Sequence, residues 1–189
     1  MSGATRRSGS TPSARKSSPS STKPDPARQA AGLARELKAA GDASRAVQEK
    51  RYLKSELVFY GCRLAAIRSA VHRVKRAQPD LNVAGLRRLV RTLWKDPVFE
   101  HRITAVMPLD SFGGPLTPAD VTLIERFLRD SKTWALVNEL AGVVADSLVE
   151  RYSKLNRTLD RWAVGEDFWL RRSALLALCH RCAAVVATG

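Results

Sequence analysis

The sequence predicts an all-α fold, and three observations carry that prediction. Apolar residues recur at spacings of three and four through most of the chain after Pro26, the mark of helices with one buried face. No window shows convincing strand alternation. Gly, Pro and short polar residues fall between the periodic segments, where helix ends and caps need them.

Each element can be justified in turn. "ARQAAGLARELKAAG" spaces Leu33 and Leu37 four apart and stops at Gly41, a residue suited to a helix end. "SRAVQEKRYLKSELVFYG" aligns Val47, Tyr52 and Leu53 and is expected to run to Gly61. "RLAAIRSAVHRVKRAQPD" puts Leu64, Ile67 and Val71 on one side and ends before Pro79. "NVAGLRRLVRTLW" carries Leu86, Leu89, Val90 and Leu93 at helical spacing. "PVFEHRITAVM" starts with Pro97, which a first turn tolerates. "TPADVTLIERFLRD" opens with Thr117 as cap, Pro118 next and Asp120 third, an acidic form of the capping box. "KTWALVNELAGVVADSLVERY" and "FWLRRSALLALCHRCAAVV" read as two longer apolar helices, with "LNRTLDRWAVGED" between them.

The chain has 189 residues, with 32 Lys and Arg against 18 Asp and Glu, a net charge of +14. That balance attracts polyanions, nucleic acid first. Residues 1–26 hold five basic residues, one acid and no Leu, Ile, Val or Phe. They are expected to form a disordered tail, leaving residues 27–189 as the folded domain. The tail's share of the charge is +4 (five minus one), so +10 belongs to the domain. Three cysteines, an odd number, argue against a disulfide framework and suit a reducing, cytoplasmic setting. No apolar run reaches the ~20 residues that a membrane span needs, and no secretory signal opens the chain.

About nine helices with unit lengths of about 40 residues suggest a right-handed α-solenoid of HEAT-like helix pairs. A compact helical bundle is the alternative. A basic solenoid offers a concave surface able to cradle DNA.

In "SKTWALVNEL" Trp134 and Asn138 lie four apart and so share a helix face. They either fill the core or line a surface that handles a ligand. Nothing comparable points to metal: "CHRC" (Cys179 to Cys182) lacks a second ligand pair, and His72 and His101 lack partners at ligand spacing. "SFGGPL" reads as a turn. The chain shows no phosphate-binding Gly-rich loop, no triad order and no nucleotide motif.

Several segments together resemble the AlkD-like DNA alkylation repair proteins, a family built from HEAT-like repeats. "RYLKSELVFYG" is similar to the family's opening helix, and "LVRTLWKDPVFEHRITAV" to its Leu-Trp element and following helix. "LIERFLRDSKTWALVNELA" is similar to the helix pair holding the catalytic aromatic and acid, and "WAVGEDFWLRRSALLAL" to a Trp-Leu-X-Arg step that opens a later helix. The matches run in order from about residue 45 to 180.

The resemblance implies hydrolysis of the N-glycosidic bond of N3- or N7-alkylated purines in duplex DNA, with no cofactor. It places Trp134 on the catalytic tryptophan, Asn138 where the family has an aspartate, and Tyr52 on a tyrosine facing the lesion. Arg172 falls on an arginine of the same site, and Arg68 on one that contacts the DNA backbone, with Ala65 and His72 standing where Pro and Lys are expected. Arg171 and Lys132 join them as expected phosphate contacts. Asp130, one turn before Trp134, is a candidate to replace the missing acid or to cap the helix. A later family tryptophan has no counterpart before Gly189, so the chain reads as shortened at its C-terminus. The expected partner is double-stranded DNA with alkylated bases. The protein is expected to act as a monomer near the nucleoid, away from membranes. A non-catalytic DNA-binding relative and a helical scaffold for a protein partner are the alternatives.

Overall fold

Asp25 leads into the first helix: its carboxylate accepts the N–H of Ala27, and Pro26 occupies the first turn of α1 (Pro26–Ala39). The fold described is that of a computed structural model, which covers residues 25–79, 81–111 and 116–188, with the side chains of 110–111, 145–147 and 180–188 excepted. The expected tail, most of the "SFGGPL" turn, and the side chains of His180 and Cys182 fall outside the described residues. Helix α1 buries Ala30, Leu33 and Leu37 along one face, as the spacing of its leucines predicts.

Helix α2 (Ala43–Leu53) is capped by Asp42, which accepts the Arg45 N–H at 3.0 Å. It stops at Leu53 rather than Gly61, and Lys54 takes a left-handed conformation, φ 47°. The next residues alternate: Ser55, Leu57 and Phe59 are buried, Glu56 and Val58 exposed. That is the period of an extended strand. The segment forms a single parallel bridge, with Val58 donating to the Pro97 carbonyl and accepting from Phe99. Among the described residues no longer strand occurs, so the chain is all-α with one extended crossing. Of the three residues aligned by the sequence, only Leu53 is buried; Val47 and Tyr52 face outward.

The crossing ends in a turn built around a carboxylate. Glu100, fully buried, accepts the N–H groups of Tyr60, Gly61 and Cys62 at 2.7 to 3.1 Å. Gly61 has φ 77°, and a Cβ there would lie 2.2 Å from the Asp42 carbonyl oxygen. No side chain fits. Buried Cys62 donates its thiol to the Leu37 carbonyl at 2.9 Å. Burial, joined by the charge of Glu100, pushes that thiol up to about 11.

Helix α3 (Leu64–Ala77) buries Ile67, Ala70, Val71 and Val74, while Leu64, expected on the core side, is largely exposed in the first turn. Helix α4 (Val83–Trp94) is capped by Asn82 and buries the predicted leucines and Val90. Pro97 precedes helix α5 (Phe99–Val106) instead of opening it: its carbonyl serves the bridge to Val58, and Val98 is the cap. Every residue of α5 from Glu100 to Val106 is buried, because α5 touches α1, α3 and α4 and, beyond them, the helix that starts at Trp134. Inside the protein Glu100, His101 Nδ1 and Arg102 find partners, whereas His101 Nε2 and Thr104 Oγ1 have none.

After a short α6 (Pro108–Ser111), Thr117 and Asp120 form the predicted capping box around a 3₁₀ turn. Arg87 of α4 adds a two-pronged contact to Asp120, at 2.5 and 2.8 Å. Helix α7 (Val121–Arg129) follows, then α8 (Trp134–Gly142). The expected long helix through Tyr152 does not stay α: residues Val143–Val149 widen into a π-helix. Helix α9 (Asn156–Val164) leads to α10 (Phe168–Thr188), which packs on α7, α8 and α9. One continuous core runs from Ala30 to Ala177.

Candidate functional site

Four residues between α7 and α8 fix where Trp134 emerges. Asp130 closes α7, donating its backbone N–H to the Arg126 carbonyl. Ser131, fully buried, donates its hydroxyl to the Phe127 carbonyl at 2.8 Å. Lys132 takes the left-handed conformation, φ 57°, and points outward. Thr133 caps α8 through the Ala135 N–H. Trp134 is thus the first residue of its helix and only half-buried.

The turn is anchored from below. The Asp130 carboxylate accepts the Trp94 indole N–H and an Arg102 N–H, both at 3.0 Å. Arg102 also donates to the Asp130 carbonyl and lies over the Trp94 ring, 5.0 Å from its centre. Trp94 in turn stacks on Phe127 at 4.2 Å. Burial lowers the Arg102 pKa and the Asp130 charge opposes that shift; a guanidinium stays charged regardless. Asp130 therefore neither caps α8 nor stands free to replace a catalytic acid. Its charge is committed to Arg102.

Above this support the sequence-predicted residues come together from three helices. Tyr52, 71% exposed at the end of α2, meets Trp134 edge to face, with ring centres 5.8 Å apart and planes at 79°. Asn138, one turn along α8, accepts from Arg172 Nη2 of α10 at 3.1 Å. The Arg172 Nε is buried with no partner. Asp167 sets the start of α10, accepting the N–H groups of Trp169 and Leu170 and pairing with Arg129 of α7 at 3.2 Å.

Two expected phosphate contacts stand apart. Arg171 folds back to donate to the carbonyls of Gly165 and Glu166, at 2.7 and 2.6 Å, capping the end of α9. Arg68 is exposed on α3 with no bond to the Tyr52–Trp134–Asn138–Arg172 group. Lys132 is exposed beside Trp134, within reach of solvent.

Sequence reasoning missed the anchors. Trp94 was visible only as part of a Leu-Trp element, and nothing local links it or Arg102 to Asp130, which lies 36 and 28 residues further on. Among the described residues, no three His, Cys, Asp or Glu side chains converge as a metal ion would require, and no helix is long and apolar enough to cross a membrane.

The arrangement offers an exposed tyrosine against a partly buried tryptophan, a neutral amide and a guanidinium whose Nε is buried without a partner. It can stack a planar ring and hold an anion, and it contains no free carboxylate at its centre. A family model described as DNA alkylation repair enzyme matches residues 33–186, a span that includes all four clustered residues. No curated protein matched the chain.

Proposed function

The chain belongs to the DNA alkylation repair enzyme family, and from that premise we propose that it grips duplex DNA carrying alkylated bases on the face around Trp134. The reaction in this reading is hydrolysis of the N-glycosidic bond of N3- or N7-alkylated purines, with Asn138 as a brake on it. The helix pairs form a HEAT-like solenoid whose basic concave side follows the DNA, and the protein works as a cytoplasmic, nucleoid-associated monomer. The observation that carries the reading is the meeting of Tyr52, Trp134, Asn138 and Arg172 at one partly open place.

Alkylation at N3 or N7 makes the base a cation and a good leaving group, so no strong general acid is needed. Positive charge develops on the sugar as the bond breaks. Trp134 and Tyr52 can each attract it by about 0.5 to 2 kcal/mol, depending on desolvation. Arg172 and Lys132 meet phosphate oxygens. Arg68 would meet the backbone farther along, and Arg171 would take part through the N–H groups other than Nη1, which serves two carbonyls.

Asn138 cannot supply a negative charge or take a proton from water. Its amide oxygen is moreover engaged by Arg172. Loss of one preorganised electrostatic group commonly costs about 10² to 10³ in rate. The same bond favours the second reading, DNA recognition without turnover.

The test is release of 7-methylguanine or 3-methyladenine from methylated duplex by the purified protein and by Asn138→Asp. Slow release that the variant accelerates supports the reaction. No release from either, with tight binding to the duplex, replaces it with recognition alone. No binding at low salt refutes the DNA assignment.

A further inference from the structure

Helices α8 and α10 start at the same end of the molecule, and each starts on an aromatic residue, Trp134 and Phe168. Arg129, the last residue of α7, pairs at 3.2 Å with Asp167, which directly precedes Phe168, and the short turn after Arg129 leads to Trp134. One turn further in, the Asn138–Arg172 bond joins the two helices. Side chains lean toward the N-terminus of their helix, so both rings stand at the rim above that joint. Phe168 is 59% exposed and meets the Trp169 ring edge on, with centres 5.0 Å apart. Trp169 packs against the core; the Phe168 ring is left largely in water. It lies four residues before Arg172 and so shares its face, with Cβ atoms about 5 to 6 Å apart. The charges beside it are mixed. Glu166 is exposed, and Asp167 is committed to Arg129 and to the N–H groups of Trp169 and Leu170. A phosphate suits Arg172, whereas an uncharged part of the strand suits Phe168.

We propose that Phe168 packs its ring on a deoxyribose next to the phosphate held by Arg172, and that it selects deoxyribose over ribose there. The inference rests on the reading that DNA lies at Trp134, and it adds a specificity-determining residue to that reading. A sugar is the uncharged unit nearest a phosphate, and a ring one helical turn from a phosphate-binding cation is placed to meet it. Covering the ring with the hydrogen-clad face of a deoxyribose removes apolar surface from water on both sides. Ribose carries a hydroxyl on C2′, the group by which proteins tell RNA from DNA. Against a phenyl ring that hydroxyl gives up water and gains no hydrogen bond, which is unfavourable.

Fluorescence anisotropy of the full chain with labelled duplexes, across a salt series, tests this. Each duplex carries the hydrolysis-resistant lesion 3-methyl-3-deazaadenine to fix the register, and a single ribonucleotide is placed in turn at the lesion's neighbours on either strand. One further duplex is deoxy throughout. At one of these positions the ribonucleotide is expected to raise the Kd of the parent about three- to tenfold, the scale of an unpaired hydroxyl at a partly open contact. Phe168→Ala should lose that penalty, while the slope of its affinity against salt matches the parent's, because no phosphate contact is lost. Phe168→Leu, which keeps an apolar side chain, should retain the penalty. A parent indifferent to ribose at every position, or a penalty undiminished in Phe168→Ala, overturns the proposal. In that event, weaker and less salt-dependent binding by Arg172→Ala would leave the DNA reading standing and remove Phe168 alone. If the parent binds no duplex, or if Arg172→Ala and Trp134→Ala both bind as the parent does, the reading falls and the proposal with it.

Discussion

Trp94 and Trp134 occupy neighbouring parts of the same support and are treated in opposite ways. Trp94 is 5% exposed, stacked on Phe127, bonded through its N–H to Asp130 and covered by the Arg102 cation. Trp134 is only partly buried at the edge of the core and meets the Tyr52 ring edge on. Their arginines differ in the same sense. Arg102 has a carboxylate, two carbonyls and a ring; Arg172 has an amide and an idle N–H. Around Trp94 the indole N–H, the guanidinium and the carboxylate all have partners inside the protein. Beside Asn138 the Arg172 Nε is left buried and without a partner, so this guanidinium is the less firmly held of the two.

The comparison breaks most visibly at Asp130. Asp130→Ala leaves the buried Arg102 guanidinium two carbonyls and the Trp94 ring but no carboxylate, and because Asp130 itself is 45% exposed the cost is screened to about 1 to 3 kcal/mol. Urea denaturation measures this; a loss under about 1 kcal/mol would mean that the network is not what holds the turn. Arg172→Ala should show the reverse pattern. Its affinity for duplex DNA at moderate salt is expected to drop about tenfold, as for loss of a charge-assisted contact, with the denaturation midpoint nearly unchanged. Identical salt-titration curves for parent and variant would remove Arg172 from the interface.

The smallest expected effect concerns a scaffold carboxylate and acid. Burial raises the Asp120 pKa, but the bonds from Arg87 and from Thr117 outweigh it and hold the group below its ordinary 3.8. A carboxyl lowered by folding stabilises the fold above its unfolded pKa and loses that contribution as pH falls through the folded value. Melting temperature should therefore decline as pH drops below about 4, and Asp120→Asn should flatten that part of the curve. A variant whose acid limb matches the parent's would show that the pair contributes nothing there.

Local pattern made most of the helices legible. The leucine spacing of α4, the cap at Thr117 and the start at Pro26 depend on residues within one or two turns. The end of α2 was hidden because Val47 and Tyr52 continue a helical stripe that turns out to be solvent-facing. The stretch past the helix end is claimed by distant groups: Pro97 and Phe99 bond Val58, and Glu100 takes the N–H groups of Tyr60, Gly61 and Cys62. The π-helix after Gly142 has no local signal at all in its run of apolar residues. At the site, spacing alone placed Trp134 and Asn138 on one face, while Tyr52 and Arg172 were linked to them by family resemblance. The sequence shows no sign that Arg171 bonds the carbonyls of Gly165 and Glu166 or that Asp130 pairs with Arg102, because both depend on where the backbone turns between helices.

The handling of Cys62 has a chemical corollary. Sulfur is attacked by methylating electrophiles chiefly as thiolate, and a thiol titrating at about 11 is almost wholly protonated at neutral pH. Cys62 is also sealed from solvent and tethered to the Leu37 carbonyl. The hinge of chain between α2 and α3 is thereby shielded from the reagents that create alkylation damage, whereas Cys179, on the outer side of α10, stands in their path.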